Sequence, residues 1–137
     1  MFDAYRVFYG RASDLGAARA FLRDRLEGAE SVVFLTLARK GESAPAPAGF
    51  AQLFPSFSSV SLCRAWILND LYVDPAHRGR GVGRALLARA AAHCRQTGAQ
   101  QLWLQTDLTN TRAQRLYDAA GMTRKEILEY TLAVGSG

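Results

Sequence analysis

The spacing of apolar residues changes along this chain, and each change predicts a new element. Tyr5–Tyr9 is a short run of aromatic and aliphatic residues that predicts a strand. After Ser13, a good helix N-cap, Leu15, Ala18, Leu22 and Leu26 recur at helical spacing and Gly28 closes the helix. Ser31–Arg39 is rich in Val, Phe, Leu and Thr and predicts a strand. Lys40–Pro47 carries Gly41, Ser43, Pro45 and Pro47 and predicts an exposed hairpin loop. Ala48–Phe54 is the returning strand. Pro55–Ser61 is then a connection, because proline has no N–H to give a sheet. Arg64–Val73 is the strongest strand pattern and ends at Asp74-Pro75. From Val82 to Gln96, Val82, Leu86 and Ala90 form one stripe and Leu87, Ala91 and Cys94 an adjacent one, which makes a wide helical face for burial. Gly98 sits where a left-handed C-terminal cap belongs. Gln101–Thr106 predicts a strand with Leu102 and Leu104 opposite Trp103. Asn110 then caps a short helix through Ala120, ended by Gly121. Ile127–Val134 predicts a last strand. The order β-α-β-β-β-α-β-α-β mixes a meander with crossover units, so a mixed sheet flanked by helices is expected.

Composition narrows the class. The chain has 137 residues, which predicts one domain over 1–137, and 49% are hydrophobic, enough for a real core. The formal charge is +5, and of the 17 basic residues only Lys40 and Lys125 are lysine. Arginine binds phosphate through a planar fork, so the bias suits a phosphate-rich ligand, although coding bias alone would also produce it. Nucleic acid is the other partner a basic balance suggests, but there is no lysine-rich tail and no zinc-finger spacing. Cys63 and Cys94 share no metal-like spacing and lie in apolar segments, as buried free thiols do. The N-terminus lacks the apolar run of a signal peptide, and no window approaches the roughly 20 apolar residues of a membrane span. No metal, no membrane and a cytoplasmic location are therefore expected.

The segment between the strongest strand and the long helix carries the chemistry: Arg78, Gly79, Arg80, Gly81, Val82, Gly83 and Arg84. Alternate glycines let the backbone turn tightly and approach a ligand without Cβ obstruction. The helix behind them points its free N–H groups and positive dipole end into the turn. The arrangement predicts an anion cradle with the size and charge for a pyrophosphate. It is not a P-loop, since Gly83 is followed by Arg84 and Ala85 rather than Lys-Ser/Thr. It is not a dinucleotide fingerprint either, because the glycine spacing differs and several strands precede it. A plain glycine-rich surface loop is the structural alternative.

The residues on both sides of the turn add a resemblance. Ile67–Pro75, the turn itself with Arg78, Gly81 and Gly83 on a Q/R-x-x-G-x-G/A pattern, and Ala85-Leu86-Leu87 resemble the signature of the GNAT superfamily of N-acetyltransferases. Asn110, Ala113, Leu116, Tyr117, Gly121 and Met122 are similar to a second pattern of the same family. The resemblance is specific from about Arg64 to Met122 and agrees only in element order before that. It implies a GNAT-type α/β fold: a mixed, mostly antiparallel sheet with flanking helices and a splayed central parallel strand pair. It also implies transfer of an acetyl group from acetyl-CoA to a primary amine, by direct attack in a ternary complex.

By the same resemblance, main-chain groups of Leu71, Tyr72 and Val73 run along the pantetheine, and one N–H polarises the thioester carbonyl. The backbone of Arg78–Arg84 holds the pyrophosphate. Arg80 and Arg84 either reach the phosphates or remain solvated charges. Asn110 contacts the cofactor and is a good helix cap in any case. Tyr117 is the candidate general acid for the leaving thiolate, with simple packing as its structural alternative. The general base is less defined. Some relatives that acetylate polyamines carry Glu where this chain has Asn69, which takes no proton. Asp70 is the nearest carboxylate, acting through water or holding a loop by hydrogen bonds, and a dedicated base need not exist. The acceptor site is expected along the first helix, Ser31–Phe54 and the following loop, with Phe54 and Phe57 as a wall or as core aromatics. Family members often end in a β-hairpin. Here only Thr123–Glu126 precede the last strand, so an edge is expected for a partner subunit, as in a homodimer. Two other readings stay open on sequence: a CoA-binding module without turnover, and a basic nucleic-acid-binding domain.

Overall fold

The computed structural model describes residues 1–135, which fall into two compact units, Met1–Gln105 and the part from Thr106 onward. In the first unit, helices α1 (Phe2–Phe8) and α2 (Leu15–Glu27) are followed by strands β1 (Val32–Ala38), β2 (Ala46–Ser58) and β3 (Cys63–Val73). A short 3-10 turn (Pro75–His77) leads to helix α3 (Val82–Gln96) and strand β4 (Gln101–Trp103). Helix α4 (Thr111–Ala119) belongs to the second unit. The strands form one sheet in the order β1-β2-β3-β4, antiparallel at the first two pairings and parallel at β3–β4. This is the mixed, mostly antiparallel architecture that the sequence implies.

Register separates the two faces of the sheet. Phe50 lies opposite Tyr72, and both pack their rings against Tyr5 of α1, at 5.6 and 6.0 Å between centroids. Gly49 faces the other way, toward α3. A Cβ there would sit 2.9 Å from the Tyr72 carbonyl oxygen and from Val82, so only glycine lets the first turn of α3 press onto β2. Leu86, Leu87, Ala90 and Cys94 complete the buried stripe of α3 over Ala51 and Leu53, which are fully buried. His93 packs edge-on against Trp66 (4.7 Å) and Phe34 (5.5 Å). Burial holds its pKa below the usual imidazole value, with help from the nearby charge of Arg89.

Five expectations need correction. Tyr5–Tyr9 is not a strand; it lies in and just after α1. Helical spacing gathers Phe2, Tyr5 and Tyr9 on one face, where Phe2 and Tyr5 meet Phe50. The buried Asp3 anchors this helix by accepting from Ser13 Oγ (2.5 Å) and Asp14 N–H (2.8 Å). Those bonds, the hydroxyl first, lower its pKa. Ser13 is therefore occupied, and Asp14 caps α2 instead, accepting from Ala17 N–H at 2.9 Å. Strand β2 does not stop at Phe54 but continues through Pro55 to Ser58. At Pro55 only β3 pairs with β2, since β1 pairs with it only as far as Leu53, and a strand with one open side is where proline is tolerated. Strand β4 ends at Trp103 rather than Thr106. Finally, Ile127–Val134 forms no strand; Ile127, Leu128, Tyr130, Leu132 and Val134 are all exposed, and alternation alone makes no strand without a neighbouring edge.

Candidate active site

The glycine turn is an open stretch of backbone at the start of α3. Gly79 (φ +74°) and Gly81 (φ +80°) adopt the left-handed conformation, which only glycine takes without strain, and a Cβ at either would meet no atom within 4 Å. Gly81 is the N-cap of α3 and makes no side-chain cap bond. The first helical bond along this stretch is Ala85 N–H to Gly81 carbonyl at 3.0 Å, so the N–H groups of Val82, Gly83 and Arg84 are left to face the turn. Arg80 and Arg84 are exposed beside it. Arg78 behaves differently. Its Nε donates to the Val73 carbonyl (3.1 Å), and its guanidinium lies over Phe8 (5.6 Å) and Tyr72 (5.8 Å). The side chain of Arg78 thus ties the turn back to β3 and α1.

The strand leading into this turn is only half paired. β2 follows β3 from Cys63 to Val73, whereas β4 pairs only with Ala65, Trp66 and Ile67. Among the described residues the far side of β3 from Leu68 to Val73 has no strand beside it. Leu71, Tyr72 and Val73 therefore lie along an unpaired strand edge, a slot in the hydrogen-bonding pattern of the sheet, which leads through Pro75–His77 to the glycine turn. A β-bulge lies where the pairing is lost. The register passes from Gln52↔Asp70 to Leu53↔Leu68, so Asn69 is the extra residue. Asp70 is buried, with 4% of its surface exposed; its Oδ2 accepts from Gln52 Nε2 (2.5 Å) and its Oδ1 from Asn69 Nδ2 (3.1 Å).

Gln52 was invisible to motif reasoning. Its only trace in the sequence is a long amide inside the apolar run Ala48–Phe54. A shallow depression of about 400 Å³ lined by Phe57, Ser58, Leu62 and Arg64 lies at the Cys63 end of β3, the end away from the cradle. Phe57 is exposed there under the Arg64 guanidinium at 5.2 Å, so it is neither core nor part of the slot. In the second unit, Asn110 caps α4 by accepting from Ala113 N–H at 3.2 Å, and Tyr117 is half-buried on the same helix. Among the described residues no group of three or more His, Cys, Asp and Glu is placed to hold a metal, and no helix is long and apolar enough to cross a membrane.

A half-paired strand thus leads by way of a glycine turn to a helix that starts without a side-chain cap. The Acetyltransferase (GNAT) family model matches residues 1–122, and the chain belongs to that family. It is thereby an acyltransferase, a member of a family that uses acetyl-CoA. It is 47% identical over 121 residues to the N-acetyltransferase YhfO of Bacillus subtilis (strain 168), spanning 88% of this chain and 78% of that protein. A crystal structure of a probable acetyltransferase superposes with a TM-score of 0.87 at 39% identity, over 99% of this chain and 89% of that one. The fold is also that of AAC(6')-Iy in complex with the bisubstrate analog CoA-S-monomethyl-acetylneamine, with a TM-score of 0.76 at 20% identity, over 96% of this chain and 88% of that one.

Proposed function

We propose that this chain transfers the acetyl group of acetyl-CoA to a primary amine by direct attack within a ternary complex. The observation that carries this reading is the free side of β3 from Leu68 to Val73, which leads through the short turn Pro75–His77 to Gly79–Gly81 and the N-terminus of α3, which has no side-chain cap. A pantetheine arm has the repeat and the amide groups to pair with such an edge, and a pyrophosphate has the charge for such a turn. The backbone N–H groups of Val82, Gly83 and Arg84 would hold the pyrophosphate, with Gly79 and Gly81 leaving the approach clear and Arg80 and Arg84 adding charge.

When bound, acetyl-CoA supplies an activated acyl carbon and a thiolate leaving group. The residues of this chain do the rest. A main-chain N–H on Leu71–Val73 steadies the negative charge that develops on the carbonyl oxygen. The amine loses its proton to water, its lone pair forms the new C–N bond, and the C–S bond breaks. Tyr117 gives its phenolic proton to the departing sulfur and regains one from solvent. Asn110 joins the cofactor contacts while keeping its cap bond. Asp70 enters as a positioning residue rather than as the base, because each of its carboxylate oxygens is engaged by an amide. Residues 1–137 act as one cytoplasmic catalytic domain. The exposed apolar residues between Ile127 and Val134 support a homodimer in which a partner subunit covers them.

Thermal unfolding with and without acetyl-CoA tests the reading directly. A ligand that binds only the folded chain raises Tm, so a clear upward shift at millimolar acetyl-CoA is expected, followed by CoA release when a panel of primary amines is added. No stabilisation at that concentration refutes it.

A further inference from the structure

We propose that Gln52 is a positioning residue for the donor slot: with Asn69 it clamps Asp70, and the clamp holds the bulge that frees the edge of β3. This rests on the acetyl-CoA reading above and adds a residue and a role to it. Three observations meet at this point. The β3–β4 pairing ends at Ile67, and the bulge residue Asn69 follows two positions later. The carboxylate just after the bulge is gripped from both sides, by Gln52 Nε2 on the neighbouring strand (2.5 Å) and by Asn69 Nδ2 on its own (3.1 Å). Gln52 is completely buried, and its Oε1 has no hydrogen-bond partner among the described residues.

The last point is informative because it is unfavourable. A buried amide with an unpartnered oxygen is less stable than an apolar side chain of the same size would be. Packing alone therefore does not explain Gln52, whereas its bond to Asp70 does. Asp70 in turn requires the amides, since a carboxylate 4% exposed is costly without donors. The pair also fixes register. Gln52 and Asp70 stand opposite each other on the face that carries Phe50 and Tyr72. Removing the bulge would slide Leu68–Val73 by one residue and turn every side chain of that stretch to the other face. Tyr72 would leave its aromatic neighbours, and the main-chain groups bordering the slot would exchange roles. A polar pair that can bond in only one register prevents this.

The test uses the full chain and reads acetyl-CoA affinity by calorimetry alongside kcat at saturating acetyl-CoA with a turned-over amine. Gln52→Leu is expected to raise the Kd of acetyl-CoA by about 10-fold or more, with a fall in kcat of less than about 3-fold. Asn69→Ala, at an exposed site that keeps the fold, is expected to raise Kd by about 3-fold. Asp70→Asn leaves an oxygen for Gln52 Nε2 and should retain more acetyl-CoA affinity than Asp70→Leu. Unchanged Kd in both Gln52→Leu and Asn69→Ala overturns the proposal. So does an equal loss of kcat in Asp70→Asn and Asp70→Leu with Kd unaltered, which would make Asp70 the base. Failure of the unaltered protein to bind acetyl-CoA refutes the acetyl-CoA reading itself, and this inference with it.

Discussion

The helices of this protein begin in two different ways. Helices α2 and α4 start on Asp14 and Asn110, whose side chains accept from Ala17 and Ala113 N–H and so satisfy one first-turn donor in each helix. Helix α3 starts on Gly81, in a left-handed conformation and with no side-chain cap. A side-chain cap satisfies one of the first-turn N–H groups, whereas an uncapped start leaves all of them for partners outside the helix. In the proposed function the two helices have different parts: α3 offers backbone N–H groups, while α4 offers a side chain, Tyr117.

The largest effect expected from breaking this contrast falls on Tyr117. Tyr117→Phe should lower kcat by about 10²-fold, at the lower end of general-acid contributions, and leave the Kd of acetyl-CoA nearly unchanged. Equal losses in kcat and affinity would assign the tyrosine to binding instead. Gly81→Asp converts α3 into a helix of the other kind. It supplies a cap, places a carboxylate where the pyrophosphate should lie and strains a positive φ. Acetyl-CoA affinity should fall about 100-fold, or about 2.7 kcal/mol, and calorimetry that finds wild-type affinity would show that the turn is not the cradle.

Asn110→Ala removes the internal cap of α4. It should cost about 1 kcal/mol, seen as a Tm lower by roughly 4 °C without ligand. An unchanged Tm would mean that the cap bond is not what the residue provides.

The smallest effect separates the two ends of α3. Burial lowers the pKa of His93, near the helix's C-terminal end, so the folded value lies below the unfolded value near 6.5. As pH falls below that value the unfolded chain binds the proton first, so stability present above about pH 6.5 is lost progressively on acidification. His93→Phe should flatten this slope in pH-dependent melting curves while acetyl-CoA affinity stays the same. A slope identical to wild type would show that other groups set it.

Legibility in the sequence followed how local the determining forces are. The bounds of α3, Val82 and Gln96, were readable because two apolar stripes, a glycine start and Gly98 all act within a few turns. Asn110 and Gly121 were readable for the same reason. Helix α1 was not, because its short aromatic run suits a strand as well as a helix, and only Phe50, Tyr72 and the Asp3 anchor decide between them. The length of β2 was misjudged because Pro55 is forbidden only where a neighbour needs its N–H.

What the sequence determined by itself was the family, through a glycine turn at a helix start, with the strand before it and the Asn110–Met122 pattern after it. Those features are set by backbone conformation and periodicity, which neighbouring residues control. What only the tertiary structure decided was the setting of that turn. It showed the side of β3 that β4 leaves free, the return of Arg78 onto Val73 and Phe8, and the grip of Gln52 on Asp70 across 18 residues of chain. These depend on register between strands, and register is fixed by which distant side chains satisfy one another once buried.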